Sequence, residues 1–126
     1  MLAEHQVHAT IGEDGFDRLI RAFYRQIPTD PLLGPMYPTE DIEGAMIRLR
    51  DFLVQRFGGP TRYQENRGHP RLRMRHSRFA IGMQARDRWL TLMDQAFREA
   101  QLHIDAEQTL RAFFVHTTKF LLNDGQ

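Results

Sequence analysis

The stretch that decides the fold is "GFDRLIRAFYRQIP", residues 15–28 of a 126-residue chain. Its apolar and aromatic residues recur at intervals of three and four, the spacing of one face of an α-helix. They are Phe16, Leu19, Ile20, Phe23, Tyr24 and Ile27. Tyr24 lies on the flank of this apolar stripe, so its ring is expected to face the interior. Pro28 and Pro31 are expected to end the helix, which we place at about residues 14–27.

The same helical spacing recurs along the rest of the chain. The further predicted helices cover about residues 39–57, 70–78, 84–101 and 105–122. Residues 60–69 are predicted to form a loop. Thr39 is the predicted N-cap of the helix at about 39–57, and Asp105 is that of the helix at about 105–122. Every strong periodicity in the chain is helical. We therefore predict an all-α protein with a single domain over residues 1–126.

Composition narrows the function classes. The formal net charge is only +1, which argues against a dedicated nucleic-acid coat. The absence of cysteine excludes a disulfide framework, a thiolate metal site and a cysteine nucleophile. No apolar run approaches the length of a membrane span, and the first residues lack the apolar segment of a signal peptide. We expect a cytoplasmic protein with no membrane or nucleic-acid partner.

A basic stretch, "RGHPRLRMRHSRFAIG" at residues 67–82, contains five arginines and two histidines. Leu72, His76 and Phe79 stand at i, i+4 and i+7, and therefore on one face of the predicted short helix. His76 is expected to point inward, whereas His69 precedes a proline and is biased towards extended backbone. From spacing alone, the commoner explanation of an inward histidine is a core residue hydrogen-bonded to a carbonyl group.

A cofactor offers a second interpretation of His76. One histidine cannot hold a bare metal ion, which needs three or four protein ligands. It can hold the iron of haem, because the porphyrin supplies the four other nitrogens. Haem also carries two propionates, and arginine binds carboxylates in a bidentate manner, so arginines beside the ligand would have a purpose. The residue pattern alone leaves both interpretations open.

Several short motifs occur in order along nearly the whole chain. They are "FY" at 23–24, "YP" at 37–38, "RLRDFL" at 48–53, "GGP" at 58–60, "RGHPRLRMRH" at 67–76 and "RDRWL" at 86–90. In order and spacing, this set resembles the truncated haemoglobins of group II, the O-type branch of the globin superfamily. The resemblance implies a two-over-two helical sandwich in which the first two long helices face the last two. One departure is that the glycine pair often found before the first long helix is split here into Gly12 and Gly15.

The resemblance also implies the residues of a haem site. It makes His76 the proximal ligand of haem b (iron protoporphyrin IX) and places Tyr24, Tyr37 and Trp89 on the distal side. Ala45 stands where many globins have a distal histidine. The implied propionate partners are Arg48, Tyr63 and Arg75. The implied pocket walls are Leu49 and Phe52 on the distal side, and Leu72, Met74, Phe79 and Met83 on the proximal side.

The implied function is the binding of O2, NO and CO at ferrous haem iron. Hydrogen bonds from the distal donors would slow O2 escape, which suits NO oxidation to nitrate or peroxidase-like turnover better than bulk transport. Such chemistry calls for an external reductase, and the chain is expected to act as a monomer or homodimer. The competing hypothesis is a non-enzymatic helical binding module whose arginine-rich segment, residues 62–78, binds RNA or an acidic partner.

Overall fold

Five α-helices follow one another in the computed structural model, which describes residues 1–72, 76 and 81–123. They are α1 (Val7–Tyr24), α2 (Ile42–Arg56), α3 (Arg62–Arg67), α4 (Met83–Ala100) and α5 (Ile104–Phe120). Short 3-10 turns lie at Glu4–Gln6, Gly34–Met36 and Thr39–Asp41. None of the residues so described lies in a strand, and the all-α prediction is confirmed.

The four long helices form two layers. Helix α1 packs most extensively against α4 and α2, and α4 also packs against α5. This is the two-over-two arrangement that the sequence predicted. The core between the layers consists of side chains with no exposed surface, among them Phe16, Leu19, Ile20, Phe23, Leu53, Val54, Phe57, Ala96 and Leu110. Within the part of the chain that the structure describes, no helix is long and apolar enough to cross a membrane.

The first helix begins earlier and ends earlier than predicted. It starts at Val7, which is fully buried, and a kink at Gly12 with φ 66° and ψ 178° interrupts it. The backbone N–H of His8 donates to the carbonyl of Phe57 at 3.0 Å and holds the extra turn against the end of α2. The kink shifts the helical phase, which is why the apolar spacing of the following residues did not extend back to Val7.

Two predicted N-caps are wrong. Thr39 opens a 3-10 turn and its hydroxyl donates to Glu40 at 3.2 Å, so α2 begins only at Ile42. At α5 the cap is His103 rather than Asp105, because the imidazole Nδ1 accepts the backbone N–H of Asp105 at 3.2 Å. A neutral imidazole nitrogen can accept this bond although histidine is not among the favoured cap residues.

The predicted loop at residues 60–69 is also wrong, because six of these residues form α3. The Thr61 hydroxyl donates to Glu65 at 2.8 Å and supports the turn. Tyr63 is buried and packs edge-on against Phe52 of α2, with ring centroids 5.5 Å apart. One apolar side chain among polar neighbours carries no periodicity, so the sequence pattern did not indicate this helix.

Candidate functional site

Three polar aromatic side chains from three different elements meet at one side of the core. Tyr24 is the last residue of α1, Tyr37 follows the turn at Gly34–Met36, and Trp89 lies in α4. The rings of Tyr24 and Tyr37 are perpendicular, at 88°, with centroids 5.5 Å apart. The Trp89 indole lies close enough to the Tyr37 hydroxyl to lower the pKa of that phenol. The structure therefore brings together the three residues that the sequence resemblance grouped.

The apolar residues behind this aromatic group fix its orientation. The Trp89 ring lies 4.9 Å from Phe23 of α1 and 5.2 Å from Phe114 of α5, measured between centroids. Phe23 also meets the neighbouring Tyr24 ring edge-on at 5.3 Å. Because contacts come from two helices besides its own, the indole has little freedom to turn without repacking the core.

Both tyrosines are held in the protonated form. Burial raises the pKa of Tyr37 to about 12, although the hydrogen bond from Trp89 acts in the opposite direction. The pKa of Tyr24 also lies well above its ordinary value, because of burial first and the neighbouring Tyr37 second, while Arg48 partly opposes the rise. Both phenols therefore keep their O–H at physiological pH, and each can donate a hydrogen bond.

Helix α2 forms the neighbouring wall. Its Ala45 carbonyl faces the hydroxyl of Tyr24 at 3.5 Å, which is a weak contact by length. Arg48 lies one turn further on, partly exposed, with Nη1 3.1 Å from the Asp41 carboxylate. Leu49 is half-buried and Phe52 is buried, so the wall changes from a charged edge to an apolar interior along the helix.

His76 lies in a helical segment and is half-buried. Its Nδ1 is 2.7 Å from the carbonyl oxygen of Leu72, which is also half-buried. A carbonyl oxygen can only accept, so Nδ1 carries a proton, and in the neutral imidazole Nε2 then has the free lone pair. This is the tautomer that a metal-ligating imidazole needs, and the carbonyl partner fixes the ring orientation as well. The donor chemistry of His76 therefore fits an axial ligand of haem iron.

Of the remaining residues implied near His76, the structure describes one and leaves three undescribed. Met83, the first residue of α4, is 48% exposed. The predictions for Met74, Arg75 and Phe79 lie outside the described residues. His69, which the sequence predicts not to point inward, is exposed. Its Nδ1 accepts the backbone N–H of Arg71 at 3.0 Å.

Two supporting residues were not recognised in the sequence. Asp30 is buried in the corner between α1 and α2, and Asn123 follows α5 and bonds to Ile81 and to the carbonyl of His76. The Asp-Pro dipeptide at 30–31 is typical of a turn. It indicates that the Asp30 side chain can accept backbone N–H groups. A polar residue near the chain end gave no comparable signal for Asn123.

The arginine-rich segment already has an acidic partner within the chain. Arg62 forms a bidentate pair with Glu13, with distances of 2.8 and 3.0 Å, and lies 3.6 Å from Asp51. The hydrogen bond from Arg62 lowers the pKa of the Glu13 carboxyl. This arginine connects α3 to α1 and α2, so its binding capacity is used inside the fold.

Comparison with known proteins is consistent with this geometry. The family model described as bacterial-like globin matches residues 6–122. The chain is 37% identical, over 106 residues, to a group 2 truncated hemoglobin of Bacillus subtilis (strain 168); the match covers 84% of this chain and 76% of that relative.

Solved structures show the same similarity. A thermostable hemoglobin from the actinobacterium Thermobifida fusca superposes with a TM-score of 0.90 at 45% identity, covering 95% of this chain and 98% of that one. A truncated oxygen-avid haemoglobin from Bacillus subtilis superposes with a TM-score of 0.88 at 32% identity, covering 93% and 98% of the two chains.

Proposed function

Because the chain belongs to the bacterial-like globin family, as a group II truncated haemoglobin, we propose that it retains O2 at haem b through hydrogen bonds from its aromatic donors. Globins of this family bind haem and, through it, diatomic gases. The observation that carries the finer proposal is the meeting of Tyr24, Tyr37 and Trp89 at one point of the core.

His76 is the proposed iron ligand. The Leu72 carbonyl at 2.7 Å holds the imidazole in the tautomer with a free Nε2 and makes that nitrogen a stronger donor to a metal. Among the described residues, no cluster of three or more His, Cys, Asp or Glu side chains could hold a metal ion. When bound, haem supplies the four further nitrogens and an open coordination position for a diatomic gas.

The distal donors act on the gas ligand. The O–H of a tyrosine or the N–H of Trp89, aimed at a gas ligand that carries partial negative charge, would make a charge-assisted hydrogen bond worth about 1.5–3 kcal/mol. Two such bonds slow escape by roughly 10²- to 10⁴-fold. The Trp89 indole lies close enough to the Tyr37 hydroxyl to lower its pKa, so we expect the two side chains to act as one network in which the indole orients the phenol.

A protein that releases O2 so slowly is suited to reactions of the retained gas. We propose NO oxidation to nitrate or peroxidase-like turnover, with electrons from an external reductase. What the chain's own residues contribute is specific: the tyrosines stay protonated, with the pKa of Tyr37 at about 12, and so donate without releasing a proton. The packing of Trp89 against Phe23 and Phe114 limits the movement of the indole at the same point.

The arginines are proposed to bind the haem propionates. Arg48 presents a partly exposed guanidinium at the charged edge of α2, close enough to Tyr24 to influence its pKa. Arg75, beside the ligand, is the second proposed partner. Replacing Arg75 with Leu is expected to speed haem loss, whereas the same change at the exposed Arg71 serves as the control and should have little effect.

The deciding experiment separates haem binding from other helical functions. The purified protein is expected to show an intense Soret band, which His76→Ala removes or severely weakens and added imidazole restores. His69→Ala is the matched control, because that histidine is exposed in the same basic segment. An unchanged haem affinity and spectrum in His76→Ala contradict the assignment of the ligand.

The proposed reaction has its own test. Stopped-flow mixing of the oxygenated protein with NO is expected to give rapid conversion to the ferric protein with one nitrate formed per haem. Parallel turnover with hydrogen peroxide and a phenolic reductant measures the peroxidase-like alternative. Slow, non-stoichiometric conversion in the first assay together with no turnover in the second would limit the function to gas binding.

A further inference from the structure

The corner between α1 and α2 is organised by one buried carboxylate. Asp30 exposes only 8% of its surface, and its Oδ2 accepts the backbone N–H groups of Leu32 at 3.1 Å and Leu33 at 2.8 Å. Its own carbonyl accepts the N–H of Gly34 at 2.9 Å. These bonds fix the start of the turn that ends at Tyr37, so the position of the Tyr37 ring depends on the position of Asp30.

The same carboxylate is joined to α4. Nη1 of Arg88 lies 3.3 Å from Oδ1 of Asp30, and Arg88 immediately precedes Trp89 in the helix. One ion pair therefore connects the segment that carries Tyr37 with the helix that carries Trp89. The two carboxylate oxygens have separate tasks, since Oδ2 accepts backbone N–H groups and Oδ1 faces the guanidinium.

The spacing of α1 and α4 is set elsewhere. Nε2 of Gln26 donates to the Leu92 carbonyl at 2.8 Å, and Trp89 packs against Phe23. Loss of the Asp30–Arg88 pair would therefore free the corner and Tyr37 while Tyr24 and Trp89 keep their places. Solvent reaches the arginine, which is 45% exposed, from an open pocket of about 550 Å³. The pocket is lined by Leu32, Gln84, Asp87, Arg88 and Thr91.

We propose that Asp30 and Arg88 are a positioning pair that sets the contact between the Tyr37 hydroxyl and the Trp89 indole, and with it the hydrogen bonding offered to the gas ligand. The inference rests on the proposed function of these two aromatic residues. It assigns a role to charges that lie outside the haem pocket. An exposed arginine contributes little to overall stability, so the effect of losing it should appear in geometry rather than in unfolding.

The test uses the haem-loaded protein and Arg88→Gln. Trp89 is the chain's single tryptophan, so the ultraviolet resonance Raman band of its indole N–H reports the hydrogen bonding of this one side chain. The band is expected to shift towards a weaker bond, and the O2 dissociation rate to rise about threefold or more. Arg88→Lys, which keeps the charge, should recover most of both effects. The matched control is Arg98→Gln, which removes another α4 arginine whose partner, Asp94, lies in the same helix.

Two further variants make the outcomes separable. In a Tyr37→Phe background, Arg88→Gln is expected to change the O2 rate no further, because the pair acts through that phenol. Suppose that Arg88→Gln leaves both the indole band and the O2 dissociation rate unchanged, while Trp89→Phe does alter the rate. The positioning pair is then overturned, and the proposed distal function is not. If Trp89→Phe leaves the O2 dissociation rate unchanged, the proposed distal function is overturned. The shift of the indole band in Arg88→Gln still tests the positioning pair in that case.

Discussion

The Trp89 indole lies close enough to the Tyr37 hydroxyl to lower the pKa of that phenol, and this contact links α4 to the corner between α1 and α2. Tyr24 touches the same phenol through a perpendicular ring contact but directs its own hydroxyl towards Ala45, at 3.5 Å. The three donors are therefore unequal. Trp89 lies against the Tyr37 hydroxyl, and Tyr24 is a neighbour whose own hydroxyl has a weak partner in Ala45.

Trp89→Phe is expected to raise the O2 dissociation rate about tenfold or more, corresponding to roughly 1.4 kcal/mol, because an aromatic filler remains while the N–H donor is lost. Tyr37→Phe and Tyr24→Phe should differ from each other. Combining Trp89→Phe with Tyr37→Phe should give less than the sum of the single effects, because both remove parts of one network. Stopped-flow displacement of O2 by CO measures each rate.

The comparison among these variants has a clear failing result. If all three single variants keep the O2 dissociation rate within about twofold of the parent, the aromatic residues are core packing only. Additive effects in the Trp89 and Tyr37 double variant would instead mean that the two donors act independently.

The stability of the protein should fall with increasing pH above about 10. An unfolded tyrosine ionises near pH 10, whereas the pKa of Tyr37 in the fold is about 12, so the unfolded chain releases this proton first. Rising pH then favours unfolding, with a slope of at most about 1.4 kcal/mol per pH unit for one proton. Tyr37→Phe should reduce the slope between pH 10 and 12. Urea unfolding at several pH values measures it.

The pH range below this window supplies the control. Between pH 7 and 9 the parent and Tyr37→Phe should show the same slope, since the phenol is protonated in both states. Tyr24→Phe should also reduce the alkaline slope, because burial raises the pKa of that phenol too. Parallel curves for parent and variants above pH 10 would contradict the raised pKa.

How much of the site was visible in the sequence depended on periodicity. The i, i+3, i+4 spacing oriented Tyr24 inward, and the structure buries it, because α1 is regular between the kink and its end. Tyr37 lies in a corner rich in proline and glycine, where no repeat fixes a side chain's direction. Its position is visible only in the fold, where the Tyr37 ring meets the ring of Tyr24 edge-on with centroids 5.5 Å apart.

The kink in α1 marks another limit of pattern reasoning. Gly12 was noticed as one half of a split glycine pair, but its conformation, φ 66° with ψ 178°, could not be read from the residue type. The resulting change of helical phase concealed the turn that begins at Val7. Tertiary contacts decide such points, here the bond from His8 to Phe57.

Gly12→Ala is expected to destabilise the protein by about 1–3 kcal/mol. The reason is backbone strain alone, because a side chain at φ 66° and ψ 178° is disfavoured although a Cβ there would meet nothing within 4 Å. Gln101→Gly is the control in the opposite sense: Gln101 has φ 50° at the end of α4, where glycine is favoured and should cause no loss. Urea unfolding of both variants checks the prediction. If Gly12→Ala were as stable as the parent, the prediction would be contradicted.

Asn123 fastens the chain after α5 to the segment that carries His76. Its backbone N–H donates to the Ile81 carbonyl at 2.9 Å, and its side-chain oxygen accepts the Ile81 N–H at 2.8 Å. The side-chain Nδ2 reaches the carbonyl of His76 at 3.4 Å. Ligand orientation in a metal site depends on such outer contacts, so Asn123 should influence how firmly haem is held if His76 is the ligand, as we propose.

Asn123→Ala removes one or two hydrogen bonds, a loss of about 0.5–1.5 kcal/mol in total. The haem dissociation rate is therefore expected to rise about threefold to tenfold. Asn123→Asp keeps the oxygen that accepts from Ile81 but removes the N–H donated to His76, so its effect should be smaller and should isolate the second contact. Transfer of haem to an excess of acceptor apoglobin gives the rate, and the iron–histidine stretching band of the ferrous protein reports ligand orientation. Asn66→Ala, at the chain's other asparagine and exposed on α3, is the control. Equal haem loss from all three variants would show that the Asn123 contacts do not support the ligand.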